Sequence, residues 1–230
     1  MPGCSLLGWR HGLIDEVYKA MDVGVKSFAL FPNISSKLKT PTGSEALNED
    51  GLLPRTIRLL KDKYPEIVIY TDASLHPYTL YERDGIVPVN GAGIKDKSLR
   101  PLCLQAIAQA RAGASVISVS DMIDGSIRAI RDALNAEGFD NVTIMAYTAK
   151  VIPGSSNVDI MNIFYQNTYL PIAAYQISGD YMRIKVAGFL KKVDLEISMM
   201  TSLSLLSRSG ARIIFTYFAR LAAAILSGDK

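Results

Sequence analysis

Lysine, serine, tyrosine and aspartate side chains recur in this chain where short apolar runs end, and that placement gives them chemical interest. Lys150 follows the run Val142-Thr-Ile-Met-Ala-Tyr147. An amine held among apolar neighbours loses part of its preference for charge, becomes nucleophilic and can attack a ketone to form an imine. The plain reading of the same residue is a solvated loop lysine, and spacing alone favours it. Asp72, Ser120 with Asp121 and Asp124, Gln176 with Ser178, and Tyr217 stand at the ends of other runs. Such groups orient carboxylates and move protons, yet each taken singly is also what caps a following helix. Asp124-Gly125-Ser126 before a helical pattern reads as such a cap. His76, in Ser74-Leu-His-Pro, could join Asp84 around a metal ion, although two ligands fall short of a site.

The elements that position these residues follow from one recurring signal. An amphipathic segment ends at a glycine, and a short β-branched run closing in polar residues comes next. Gly24, Gly113, Gly138 and Gly210 play this part before runs beginning near Ser27, Val116, Val142 and Arg212. Two more runs, Ile67 to Thr71 and Leu170 to Tyr175, follow helix-like segments, which brings the expected strands to six. Helices alternating with strands imply parallel pairing through right-handed crossovers, either in a (β/α) barrel or in an open doubly wound sheet. No glycine-rich phosphate fingerprint follows any of the runs, so the barrel is preferred. In a barrel the polar strand ends would share one rim, with loops converging there on a small molecule. Asp84 to Ser98 reads as a long loop bordering that rim. Trp9-Arg10-His11-Gly12 reads as an anchor ahead of the first helix, and the Tyr and Phe residues are spaced as core and strand positions.

Composition narrows the partners. The chain has 230 residues, 49% of them apolar, 20% charged, and a net charge of +3. That balance fits one soluble globular domain and gives no electrostatic footing for nucleic acid. The apolar stretch Ile213 to Leu226 is broken by Thr216 and Arg220 and falls short of the roughly 20 residues of a membrane helix. Cys4 and Cys103 are the only cysteines, which suits a reducing compartment and excludes a disulfide framework.

Longer motifs carry a resemblance. Gly43-Ser-Glu-Ala46, Gly51-Leu-Leu-Pro-Arg-Thr-Ile-Arg58, Pro77-Tyr-Thr79, Asp84-Gly-Ile86, Ser120-Asp-Met-Ile-Asp-Gly125, Ile144-Met-Ala-Tyr-Thr-Ala-Lys150, Ala174-Tyr-Gln-Ile-Ser-Gly-Asp-Tyr181 and Thr216-Tyr-Phe-Ala219 together resemble porphobilinogen synthase, or 5-aminolevulinate dehydratase, in its chloroplast form. The resemblance implies a (β/α)8 TIM-barrel fold and the condensation of two 5-aminolevulinate molecules to porphobilinogen, a step toward haem and chlorophyll. It gives Lys150 the role of a Schiff-base lysine. Ser178 and Tyr217 would grip a substrate carboxylate, and Asp72 and Ser120 would line the pocket. It also implies magnesium, an oligomer, and the chloroplast stroma, although no transit peptide is visible in this chain.

The chain departs from the family pattern at named places. The family's second lysine lies in a Val-Lys-Pro-Gly run well downstream of the first, whereas here Val151-Ile152-Pro153-Gly154 follows Lys150 at once. Ile152 then stands in the second lysine's place, and about one βα unit after Lys150, with its substrate contacts and magnesium ligand, has no counterpart. The N-terminal arm has none either. In the metal loop only Asp84 keeps a plastid-type ligand beside Ser74 and His76, and Ser126 replaces a family arginine. The expectation is thus a single shortened barrel domain of about six strands over residues 1–230, forming a homo-oligomer. The alternative is a non-catalytic paralogue that joins a full-length synthase in a hetero-oligomer.

Overall fold

A computed structural model of the chain describes residues 1–80, 94–121, 123–147 and 157–228, without the side chains of 94–97 and 157–158. It comprises two compact units, one running from Lys26 to Thr148 and the other made of Met1–Val25 with Ala149–Lys230.

In the first unit four parallel strands lie in sequence order: β1 (Ser27–Leu30), β2 (Val68–Ala73), β3 (Val116–Val119) and β4 (Thr143–Ala146). The register pairs Leu30 with Thr71, Ala73 with Val119, and Val119 with Ala146, so all four carboxyl ends fall along one edge of the sheet. Helices α2 (Leu52–Lys63), α3 (Ile94–Arg111) and α4 (Ser126–Ala136) make the crossovers. Their apolar residues recur at helical spacing, Leu53, Ile57 and Leu60 on α2 and Ile130 and Leu134 on α4, and all five are buried. All four residues of β3 are buried, as expected of a strand with neighbours on both sides, whereas the end strand β4 has no fully buried residue.

The second unit holds α1 (Gly12–Asp22), α5 (Asn157–Asn167), β5 (Ile172–Tyr175), α6 (Ser178–Phe189), α7 (Leu195–Arg208), β6 (Ala211–Phe215) and α8 (Ala219–Ser227). β5 and β6 pair in parallel, with a register shift between Ile172 and Ala173. The core of this unit is Tyr181, Met199, Phe218 and Ala222, against which Cys4, Met182, Leu195 and Ile225 pack.

The six strands and their parallel sense match the sequence reading. All four predicted capping glycines have positive φ. At Gly113 the left-handed turn is needed because the amide reaches back to Ala110 O, at 2.9 Å, while Lys61 Cγ lies 3.1 Å from where a Cβ would stand. Three local expectations change. The loop predicted from Asp84 to Ser98 becomes helical at Ile94, where α3 begins. Leu170-Pro171 stays outside β5, since proline brings no N–H to a ladder. The start of α4 is capped by Gly125 in the left-handed conformation, with no side-chain cap from the Asp124 turn. Among the described residues no helix is long and apolar enough to cross a membrane, and both cysteines are free thiols.

Candidate functional site

The carboxyl-terminal edge of the four-stranded sheet carries Asp72, Ser74, Ser120 and Tyr147. Helix α3 holds the end of β2 through two glutamines. Gln109 accepts from Thr71 Oγ1 at 2.8 Å and donates Nε2 to the Asp72 carbonyl at 2.9 Å. Gln105 donates to the Ser74 carbonyl at 3.1 Å. Asp121, just past β3, then ties the two strand ends together: Ser74 Oγ donates to its Oδ1 at 2.8 Å and the Leu75 amide to its Oδ2 at 3.2 Å. Apart from the half-buried Asp72 these residues are buried, where a paired polar group fixes one geometry and an unpaired one is costly.

Asp72 and Ser120 are each half-buried on this edge. Burial, and then the Asp72 charge, push the Tyr147 hydroxyl up to about 12. Burial likewise raises Tyr78, with the Asp72 charge adding to it. The Asp72 carboxylate therefore acts on two phenols that stay protonated at neutral pH, an arrangement able to keep a proton donor beside an anion. Neither tyrosine was singled out from the sequence, because an aromatic residue near a strand end also fits a core position.

In the other unit the ends of β5 and β6 carry Gln176, Ser178 and Tyr217. Ser178 is the exposed first residue of α6, where unpaired amides favour an anion. Tyr217 is 41% exposed, and its hydroxyl lies 3.1 Å from that of Tyr175. Behind it stands the Tyr181 ring, with centroids 5.4 Å apart. Tyr181 itself is held by donation to the Pro2 carbonyl at 2.7 Å. Two tyrosine hydroxyls and a serine hydroxyl at a helix start form a neutral donor set suited to a carboxylate. Tyr175 is a further donor that its strand position concealed.

The other sequence candidates fare differently. His76 is exposed on a short 3₁₀ turn, His76–Tyr78. Asp84, Lys150 and Ile152 lie outside the described residues. No group of three His, Cys, Asp or Glu side chains able to hold a metal ion occurs among the described residues.

Comparison with known proteins supplies the context for these ends. The profile of the family described as Delta-aminolevulinic acid dehydratase matches residues 1–152 and 151–225. The chain is 48% identical to the chloroplastic Delta-aminolevulinic acid dehydratase of Pisum sativum, over all of this chain and 71% of that protein. It is 47% identical to chloroplastic Delta-aminolevulinic acid dehydratase 1 of Arabidopsis thaliana, over all of this chain and 65% of that one. Among solved structures, a delta-aminolevulinic acid dehydratase (porphobilinogen synthase) of Toxoplasma gondii, in complex with its reaction product porphobilinogen, superposes with a TM-score of 0.95. That match has 30% identity and covers all of this chain and 80% of the other. The fold class is accordingly that of the (β/α)8 barrel enzymes, with six strands among the described residues.

Proposed function

Because this chain belongs to the delta-aminolevulinic acid dehydratase family, we propose that it acts as a porphobilinogen synthase through one Schiff-base lysine, Lys150. The observation that carries the assignment is identity near one half along the entire chain, joined to a product-bound structural neighbour. The protein is chloroplastic and serves tetrapyrrole synthesis, as the names of its plant relatives imply.

The reaction joins two molecules of 5-aminolevulinate with loss of two waters. The Lys150 amine adds to the substrate ketone and expels one water as an imine, which fixes the substrate and makes the neighbouring C–H more acidic. Ser178 and Tyr217 donate hydrogen bonds to a substrate carboxylate, with Tyr175 as a further donor. The resemblance assigns Asp72 and Ser120 as further substrate-binding residues, and the protonated Tyr147 beside Asp72 is a proton source at that strand end.

One observation favours a second reading. The alignments to the Pisum sativum relative run over 281 residues against the 230 of this chain, an excess of 51, and the family profile matches in two stretches that meet at residues 151–152. This supports the absence of about one βα unit after Lys150, with Ile152 standing where a second lysine belongs. A chain so shortened would serve as a subunit beside a full-length synthase in a mixed oligomer.

Incubating the purified chain with 5-aminolevulinate and magnesium, with Lys150→Ala in parallel, tests both. Turnover abolished by the substitution, and one borohydride-trapped adduct located at Lys150 by peptide mass, support the synthase. An adduct at another lysine refutes the assigned site. A folded chain with no turnover that co-purifies with a full-length relative establishes the subunit reading instead.

A further inference from the structure

We propose that Gln176 and Thr216 are positioning residues that set the Tyr217 hydroxyl against Ser178 at the ends of β5 and β6. The inference rests on the reading of Ser178 and Tyr217 as the carboxylate grip and adds what holds them in place.

Backbone pairing between the two strands ends at Tyr175 and Phe215, with one further bond from the Gln176 amide to the Phe215 carbonyl at 2.8 Å. Beyond that point each chain enters its own helix, α6 or α8, and nothing in the backbone ladder fixes their separation. A side-chain pair takes over there. Thr216 Oγ1 donates to Gln176 Oε1 at 2.6 Å and accepts from the Phe218 amide at 3.0 Å. Gln176 Nε2 donates to Ser202 Oγ on α7 at 3.0 Å.

The arrangement determines the amide's orientation. Thr216 Oγ1 accepts from the Phe218 amide and gives its one proton to the oxygen of the Gln176 amide, whose nitrogen turns to Ser202. Gln176 is only 2% exposed, so an amide left unpaired in this pocket would be costly. A pair of aliphatic side chains could fill the same space but would impose no such geometry. The consequence falls on the neighbours in sequence. Tyr217 lies between Thr216 and Phe218, the two residues joined through the Thr216 hydroxyl, and Ser178 lies two residues beyond Gln176. The Tyr217 hydroxyl is then met by Tyr175 at 3.1 Å, which completes its placement.

The test compares Thr216→Val, which keeps the shape and loses the hydroxyl, with Thr216→Ser, which keeps the hydroxyl. The ligand is 4-oxopentanoate, the substrate skeleton without its amine, followed by titration calorimetry on the whole chain. Thr216→Val should weaken binding about tenfold, the equivalent of one hydrogen bond, and Thr216→Ser should restore it to within about twofold. Equal affinity in all three proteins overturns the proposal. A second readout needs no ligand: tyrosines labelled with carbon-13 at Cζ report the Tyr175 and Tyr217 hydroxyl environments by NMR. Thr216→Val should displace both resonances and Thr216→Ser neither, and unmoved resonances in Thr216→Val refute the proposal. Resonances displaced in Thr216→Val but not in Thr216→Ser, with no binding of 4-oxopentanoate by the wild-type chain, would count against the carboxylate reading alone and leave the positioning role standing.

Discussion

Replacing Asp121 by alanine removes the acceptor that joins the ends of β2 and β3. Two donors lose their partner, Ser74 Oγ at 2.8 Å and the Leu75 amide at 3.2 Å. Ser74 is 4% exposed and Leu75 fully buried, so water does not replace the carboxylate. The serine hydroxyl can rotate toward another acceptor, whereas the amide is fixed by the backbone. With about 1.5–3 kcal/mol for each hydrogen bond to a charged group, and partial recovery at Ser74, the expected loss is about 3 kcal/mol. For a chain of this size that corresponds to a fall in Tm of roughly 6–12 °C. Ser74→Ala leaves Asp121 its bond from Leu75 and should cost about 1 kcal/mol, and a double-mutant cycle should return a coupling of about 1–2 kcal/mol. Asp121→Asn should rescue part of the loss, its oxygen accepting from the Leu75 amide and its nitrogen donating to the Ser74 hydroxyl, without the charge of the carboxylate. Thermal unfolding by circular dichroism measures the first quantity, and hydrogen exchange at the Leu75 amide measures the local opening. A Tm within about 3 °C of wild type, with unchanged protection at Leu75, would refute the account of how Asp72 and Ser120 are held along one edge.

Further outcomes are expected. Leu134→Ala, at a fully buried position of α4, should destabilise by about 2–5 kcal/mol in urea unfolding. Gly210→Ala should cost about 2 kcal/mol or more, because the residue has φ +103° and a new Cβ would stand 2.6 Å from Tyr165 Cγ and 2.8 Å from its Cβ; placing it in a Tyr165→Ala background should recover only the part of the steric cost that the ring imposes. Phenolate absorbance should show Tyr147 ionising at about 12, and Asp72→Asn should move it down toward its ordinary value. The folded state keeps that proton where the unfolded chain releases it near pH 10, so stability is complete below about pH 10 and falls as pH rises through about 12. Unfolding midpoints measured across that window check the sign.

The sequence alone was enough to determine the parallel α/β order of elements. The helices before four of the strands are closed by a glycine, and α2 and α4 show their buried faces in spacing; these are local signals that survive without tertiary information. Gly24, Gly113, Gly138 and Gly210 could be read because only glycine enters the left-handed turn at little cost, and all four lie there. The sequence also marked Asp72, Ser120, Ser178 and Tyr217, since a polar residue closing an apolar run must leave the core. What it could not supply was the partner of each. That Asp121 accepts from Ser74, 47 positions away, and that Thr216 donates to Gln176 across 40, depends on strand register and on helices brought alongside. Tyr147 and Tyr175 were hidden for a related reason. A tyrosine at a strand end has the same sequence signature whether its hydroxyl is idle or aimed at a site, and only folding puts Asp72 beside one and Tyr217 beside the other.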